Sequence, residues 1–413
     1  MTEHWSLPRR IAFRFFAVVT VLLVAPFPLR LLPGTEWLER GIMRAWQVGV
    51  AWFAEFVLRI EAPPQIFTGS GDTLWHYVQL ALIACVGVIA TIAWSLGDRR
   101  RQNYTRLAHV LLVVVRYFLA CMMLLYGIAK VVPMQFPPLW LGRYDSTLGE
   151  MSPMGLLWTF MQHSQTYVII TGCAEILAGL LLLSRRLHVF GALLSIAVMT
   201  NVVLLNFNYD VCVKLFSVQL LAMGIAIVLP HARRLIAAVL GNPTSGVLPR
   251  TRGDQRYEIA RSLAKAGLLA AIAVQAWGQI RFGVSLRREP TVLHGAWHVD
   301  RQMRDGVDVP PLFTDDTRWR TLIIHEYGAS LRTGTDRRTH YFLQIDETAR
   351  TITLERQGGV VRHTLSYARP AHDRLILDGT FKGHTIHVEL SLEPPPPLST
   401  RGFHWVQDYP YNR

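Results

Sequence analysis

Residues 107–131 read LAHVLLVVVRYFLACMMLLYGIAKV. Apolar side chains fill nearly every position, so no polar face is left to meet water. At 1.5 Å per residue a helix of this length exceeds the ~30 Å hydrocarbon core of a bilayer. Similar runs lie near 11–32, 74–96, 167–184, 187–206, 213–230 and 263–284, which makes seven expected spans. The composition agrees with them. Of 413 residues 51% are hydrophobic and 17% charged, against about 25% charged in an average soluble domain. Mean hydropathy is +0.25. A soluble globule is excluded, and so is a disordered chain, which needs low hydrophobicity.

The net charge of +13 is confined to the apolar part. From residue 286 onward 17 Lys/Arg face 16 Asp/Glu, so +12 sits in the first 285 residues. A nucleic-acid surface needs a basic stripe on a soluble domain, and none is present in the sequence. Basic residues flanking apolar runs instead follow the positive-inside rule. With the N-terminus in the cytoplasm, the inside flanks hold 16 Lys/Arg and the outside flanks 7. Seven spans then leave the C-terminal region outside. The first run follows Arg9 and Arg10, but Pro26-Phe27-Pro28 replaces a cleavage site, so it is read as a retained helix.

Residues 35–60 mix Trp37, Trp46, Trp52, Phe53 and Phe56 with Glu36, Glu39, Arg40, Arg44 and Glu55, and predict an amphipathic helix lying on the outer face. Residues 132–166 form a proline-broken outer loop, expected to re-enter the membrane or cap a cavity. Residues 241–257 are a Gly/Pro/Arg-rich inside linker. From about residue 290 the period changes from helical to alternating. Short runs at 321–325, 341–345, 351–354, 375–377 and 385–390 are separated by turns at Asp346-Glu347, Gln357-Gly358-Gly359 and Lys382-Gly383. They predict an antiparallel barrel or sandwich. The tail Arg401-Gly402-Phe403-His404-Trp405 is expected to plug it or to return to the membrane surface.

Ionisable groups within apolar spans are costly unless paired or hydrated, so they mark candidate sites. Arg116 and Glu175 fall near the middles of two spans and read either as a structural ion pair or as a polar pocket. Tyr126 and Lys130, four apart, share a helix face; Lys130 either snorkels to the interface or supplies a cation to an outer-facing cavity. Asn201, Asn206, Tyr209, Asp210 and Lys214 crowd the junction of two spans, as a capped loop or, with Lys130 and Glu175, as one outer-leaflet pocket. Cys85, Cys121, Cys173 and Cys212 form no C-x-x-C and read as packing residues. The many C-terminal histidines show no ligand spacing, so no metal site is expected.

The block from Arg116 to about Leu235 resembles the DoxX family of bacterial membrane proteins. The matching residues are Leu125-Tyr126-Gly127-Ile128-Ala129-Lys130, Ser152 to Phe160, Gly172-Cys173-Ala174-Glu175 to Gly179, Asn201 to Asn206, and Tyr209-Asp210 to Lys214-Leu215-Phe216-Ser217. Cys212 stands where proline is expected. Ser70-Gly71-Asp72-Thr73 and Arg401 to Trp405 resemble a longer subgroup with an appended outer domain. The resemblance implies a four-helix membrane core. Some members are similar to subunits of thiosulfate:quinone oxidoreductase or of complexes handling thiol stress, and the wider group to the membrane half of vitamin K-dependent carboxylases.

The expected architecture is thus an all-α polytopic membrane bundle of about seven spans with a four-helix DoxX-like core, followed by an antiparallel β domain. Its parts are 1–106, N-terminal helices; 107–240, the four-helix core; 241–285, linker and last span; and 286–413, a periplasmic β-rich domain. The expected function is a bacterial inner-membrane subunit of a quinone-linked oxidoreductase system. Glu175 and Lys130 would be its catalytic groups, and Arg116, Tyr126, Asn201, Asn206, Tyr209, Asp210 and Lys214 its pocket. Quinone is the expected ligand, and the bilayer and a periplasmic protein are the expected partners. The alternative is a non-enzymatic transporter or lipid-handling protein whose β domain forms a ligand cup, or a scaffold that recruits a periplasmic partner.

Overall fold

Long apolar runs become helices because a helix satisfies its own backbone hydrogen bonds, as lipid requires. The structure is a computed structural model and describes residues 4–31, 34–242, 255–285, 289–356 and 361–411. Its helices are α1 (Leu7–Val24), α2 (Glu36–Trp52), α3 (Leu74–Gly97), α4 (Thr105–Val131), the single turn α5 (Leu141–Tyr144), α6 (Pro153–His163), α7 (Gln165–Leu183), α8 (His188–Asn208), α9 (Lys214–Val228), α10 (Ala232–Val239), α11 (Gln255–Ser285) and the short α12 (Pro397–Thr400). Two compact units result. One holds Met1–Pro137 and Pro153–Val284, the other Pro138–Ser152 and Ser285–Arg413.

Among the described residues six helical segments are long and apolar enough to cross a membrane: Leu74–Gly97, Thr105–Val131, Gln165–Leu183, His188–Asn208, Lys214–Val239 and Ser262–Ser285. The helix over the seventh expected span, α1, stands apart from them. It starts earlier, at Leu7, ends before Pro26, and includes Arg9, Arg10 and Arg14 within its 18 residues. Arg14 is not a solvated flank charge, as the sequence suggested. It is buried, and donates to Tyr104 Oη at 2.9 and 2.7 Å, Ser95 Oγ at 2.7 Å and the Asp98 carbonyl at 3.0 Å. The Tyr104 hydroxyl in turn donates to Asp98 Oδ2 at 3.0 Å. This network ties α1 to the end of α3.

The four helices α4, α7, α8 and α9 close a bundle in which α4 packs on α7 and α9, and α8 packs on the same two. Two glycines set the α4–α7 spacing. A Cβ on Gly127 would lie 2.7 Å from the Gly172 carbonyl oxygen, and one on Gly172 would lie 2.8 Å from the Gly127 carbonyl oxygen and 2.9 Å from Lys130 Cβ. Such small-residue contacts let backbones approach closely in membrane bundles. The amphipathic stretch expected over 35–60 is α2, continued by a wide turn at Phe53–Leu58, with Val50, Phe53 and Ala54 buried against Trp75 and Val78.

The second unit is a closed antiparallel barrel. Its strands are β1 (Gly295–Arg304), β2 (Val307–Asp308), β3 (Trp319–His325), β4 (Gly328–Thr333), β5 (Arg338–Asp346), β6 (Thr351–Arg356), β7 (Arg362–Ala371), β8 (Arg374–Phe381) and β9 (His384–Leu392). Eight of them follow one another around the cylinder, and β1 pairs with β9 to close it, Trp297 opposite Leu392 and Arg304 opposite Ile386; β2 only forms a hairpin on β1. Alternate residues point inward, and Trp297, Leu322, Ile324, Leu331, Ile352, Leu354, Leu365, Leu377 and Val388 fill the interior. An eight-stranded barrel is narrow enough to be filled this way. The expected ligand cup is therefore a packed core. The tail is no plug either, since Phe403, Trp405, Val406 and Tyr409 are exposed. The turn expected at Lys382-Gly383 is present, with φ of 52° and 86°.

Strand β4 is buried on both faces, because residues 138–152 cover its outer side. Trp140 packs against His325 with ring centroids 4.6 Å apart and the planes tilted by 52°. Arg338 donates to Asp145 Oδ2 at 2.9 Å and Ser146 Oγ at 2.7 Å, and Arg332 to the Asp145 carbonyl at 3.2 Å. The middle of the loop expected to re-enter the membrane thus straps the barrel instead. Most of the expected inside linker, residues 243–254 with Arg250 and Arg252, lies outside the described residues, as do residues 286–288 and the turn at Gln357-Gly358-Gly359.

Replacing Gly172 by valine forces α4 and α7 apart. The expected loss is about 1–3 kcal/mol, typical of overpacking, read as a lower melting temperature of the full chain in detergent. An unchanged melting curve would show that the glycine contact does not set the spacing.

Candidate functional site

Lys130 lies one residue before the end of α4, and Glu175 lies mid-way along α7. The close approach at Gly127 and Gly172 brings them together. Lys130 Nζ donates to both carboxylate oxygens of Glu175 at 2.8 Å, and the two residues are 7% and 3% exposed. The lysine stem crosses over Gly172, so a side chain there would displace it. The result is an ion pair enclosed by helices in a segment long enough to span a bilayer.

Arg116 is not part of this pair. It lies fourteen positions before Lys130 on α4, about 21 Å away along the axis. Its guanidinium sits 4.8 Å from the Tyr117 ring centroid, and its buried Nε has no hydrogen-bond partner among the described residues. Their mid-span positions suggested Arg116 as a partner for Glu175, but α7 runs antiparallel to α4 and brings Glu175 to Lys130. Tyr126 lies one turn before Lys130, and its ring contacts Phe216 of α9 at 6.1 Å.

The α8–α9 junction forms a second polar group. Asn206 is buried, accepts from the Val211 N–H at 2.9 Å through its carbonyl, and donates from Nδ2 to the Val213 carbonyl at 3.5 Å. Tyr209 packs against the cluster of Phe136, Leu157, Met161, Val168 and Val211. Asp210 takes a left-handed conformation (φ 51°), and its exposed carboxylate pairs with Lys214 Nζ at 2.7 Å. Asn201 stands apart. It is exposed, and five residues along a helix rotate it about 140° from Asn206, so the two do not share a face.

Sequence reasoning missed Asp72 as a site residue. Its carboxylate accepts the Lys214 and Leu215 N–H groups at 2.6 and 3.0 Å, capping the first turn of α9, and lies 3.9 Å from Lys214 Nζ. The Gly71 N–H donates to the Cys212 carbonyl at 2.8 Å. That contact uses the backbone carbonyl of Cys212, which a proline at this position would also supply. The signal was the Ser70-Gly71-Asp72-Thr73 string, whose partner lies 142 residues away. Tyr126–Phe216 is one of the contacts that join this junction to the helix bearing Lys130.

No family model matches the chain, and no solved structure does. Over 130 residues it is 32% identical to the protein called "Uncharacterized protein YwoB" from Bacillus subtilis (strain 168), a match covering 81% of that protein and 31% of this one. The chain belongs to the YwoB family. About two thirds of its length therefore lies beyond what the match to YwoB covers.

The barrel histidines are not assembled for metal binding; among the described residues no group of three or more His, Cys, Asp or Glu can hold an ion. Three of them, His325, His340 and His363, sit where burial favours the neutral ring. His325 Nδ1 accepts the Tyr327 N–H at 3.2 Å, and His363 Nδ1 accepts the Lys382 N–H at 3.4 Å. Burial lowers the pKa of His325, His340 and His363; His340 and His294 near His325, Arg338 near His340 and Lys382 near His363 add to it, while Glu326 opposes it at His325. His387 goes the other way, raised by its hydrogen bond to Asp378.

Two predictions follow from these geometries. Removing only Lys130, as in Lys130→Met, leaves a buried carboxylate uncompensated and is expected to cost about 3–5 kcal/mol, whereas Lys130→Met with Glu175→Leu restores most of it. Thermal melting of both variants in detergent checks this, and equal melting points would contradict the enclosure. For the barrel, a lowered histidine pKa gives stability that is present above the ordinary value of about 6.5 and lost as pH falls below it. Hydrogen exchange in peptides covering β3 and β4, corrected for intrinsic rate, is expected to be faster at pH 5.5 than at 7.5. His325→Asn keeps an acceptor for the Tyr327 N–H and should flatten that difference; an undiminished difference would remove His325 as its source.

Proposed function

We propose that the helical unit is the membrane subunit of a quinone-linked oxidoreductase system, with Lys130 and Glu175 as its working pair. The observation that carries this reading is the bidentate contact between them, enclosed at membrane depth. An intramembrane ionisable pair is costly to keep, and such groups mark proton and ligand pathways. The resemblance to DoxX proteins supports the same reaction class.

Reducing a quinone takes two electrons and two protons. In this reading a partner redox subunit delivers the electrons. Glu175, protonated from the aqueous side, passes a proton to a quinone oxygen, and Lys130 holds the oxyanion until the second proton arrives. Tyr126 and Phe216 offer aromatic surface beside the pair. With α1 counted as a seventh span, the charge asymmetry of the flanks supports a cytoplasmic N-terminus in a bacterial inner membrane and a periplasmic barrel. The transporter alternative is weakened where it relies on a ligand cup, because side chains fill the barrel interior.

Mass spectrometry of an organic extract tests the reading. Protein purified in mild detergent is expected to carry stoichiometric quinone, and the double variant Lys130→Met, Glu175→Leu to lose it while melting near the wild type. Bulk phospholipid alone in the wild-type extract, or quinone retained by the double variant, would overturn it.

A further inference from the structure

Away from the ion pair, a depression of about 500 Å³ opens between the α7–α8 turn and α11, lined by Leu180, Leu183, Ser184, Arg185, Arg186, Lys265 and Leu269. Its chemistry is graded. Leu180, Leu183 and Leu269 line it from within helices α7 and α11. Arg185 and Arg186 sit on the turn between two candidate spans, and Lys265 lies three residues after the start of another. Lys265 Nζ donates to the Leu183 carbonyl at 2.9 Å. That bond fixes the ammonium beside the two arginines and, among the described residues, leaves two of its three N–H donors for another acceptor. Among the described residues no carboxylate lines the depression.

We propose that this depression binds the headgroup phosphate of an anionic phospholipid. The cations stand where three candidate spans end, the level at which a lipid phosphate lies. The leucines continue inward, where its acyl chains run. Basic pockets between transmembrane helices bind anionic headgroups in this way. A phospholipid supplies both the negative charge and the apolar body that the lining matches, whereas inorganic phosphate supplies only the charge. The site is independent of the Lys130–Glu175 pair and of the redox reading.

The experiment uses the full chain in detergent, titrated with phosphatidylglycerol, phosphatidylcholine or inorganic phosphate, and reads bound lipid by native mass spectrometry alongside the melting temperature. Phosphatidylglycerol is expected to stay bound and to raise the melting temperature, and the other two are not. Arg186→Gln, at an exposed position, should weaken phosphatidylglycerol about fivefold without lowering the melting temperature of the lipid-free protein. Adding Arg185→Gln and Lys265→Gln should abolish retention. Equal retention of phosphatidylcholine, unchanged binding in Arg186→Gln, or the same stabilisation from inorganic phosphate would overturn the proposal.

Discussion

Lys130 and Glu175 meet where the surroundings screen charge weakly. Their attraction is therefore strong, and so is the cost of leaving either one alone. The constraint propagates outward. The pair forms only if α4 and α7 stay within glycine distance, and Gly127 and Gly172 provide that spacing. The α4–α7 contact is one side of the four-helix ring, so the placement of α8 and α9 depends on it too. Asp72 then secures the first turn of α9 from a segment that precedes α3.

The barrel unit solves a different problem. A sheet with free edges invites pairing with other chains, and closing β1 onto β9 removes those edges. The interior is filled from the alternating pattern alone. The outer face of β3 and β4 is buried as well, at Ile323, His325 and Ser330. Residues 138–152 cover it with Trp140 and anchor there through Asp145, Arg332 and Arg338. The barrel unit is therefore built from two stretches of sequence, and its strap is held mainly by charge-assisted hydrogen bonds, which are stronger than neutral ones.

What was legible in the sequence is what periodicity and composition can carry. The six long apolar helices and the alternating strands announce themselves within a window of ten to twenty residues. Strands β1, β4 and β7 were missed because each breaks the alternation: β1 carries a bulge at Asp300, whose carboxylate accepts from Arg374 and Ser391, β4 is buried on both faces, and β7 shifts register around Pro370. Polar partners were harder still. Glu175 and Lys130 were both singled out, but Arg116 was as plausible a partner for Glu175, since only the antiparallel packing of α4 and α7 decides which cation it meets. Arg14 and Asp72 were passed over for the same reason. Their partners lie 81 to 90 and 142 residues away, beyond any local pattern.

The geometry of the ion pair bears on the proposed chemistry. A bidentate contact at 2.8 Å to both oxygens occupies two of the lysine's three donors. A proton reaching Glu175 removes the charge that holds Lys130, and frees the ammonium to meet an anion. Protonation of the acid and release of the cation are thus one event, not two. A structural ion pair has no need of that coupling and is replaceable by two apolar side chains of similar volume. A quinone-reducing site depends on it, because a proton must arrive at the carboxylate at the moment an oxyanion needs the lysine. The two roles differ in what they ask of the pair, and that difference separates packing from chemistry at this position.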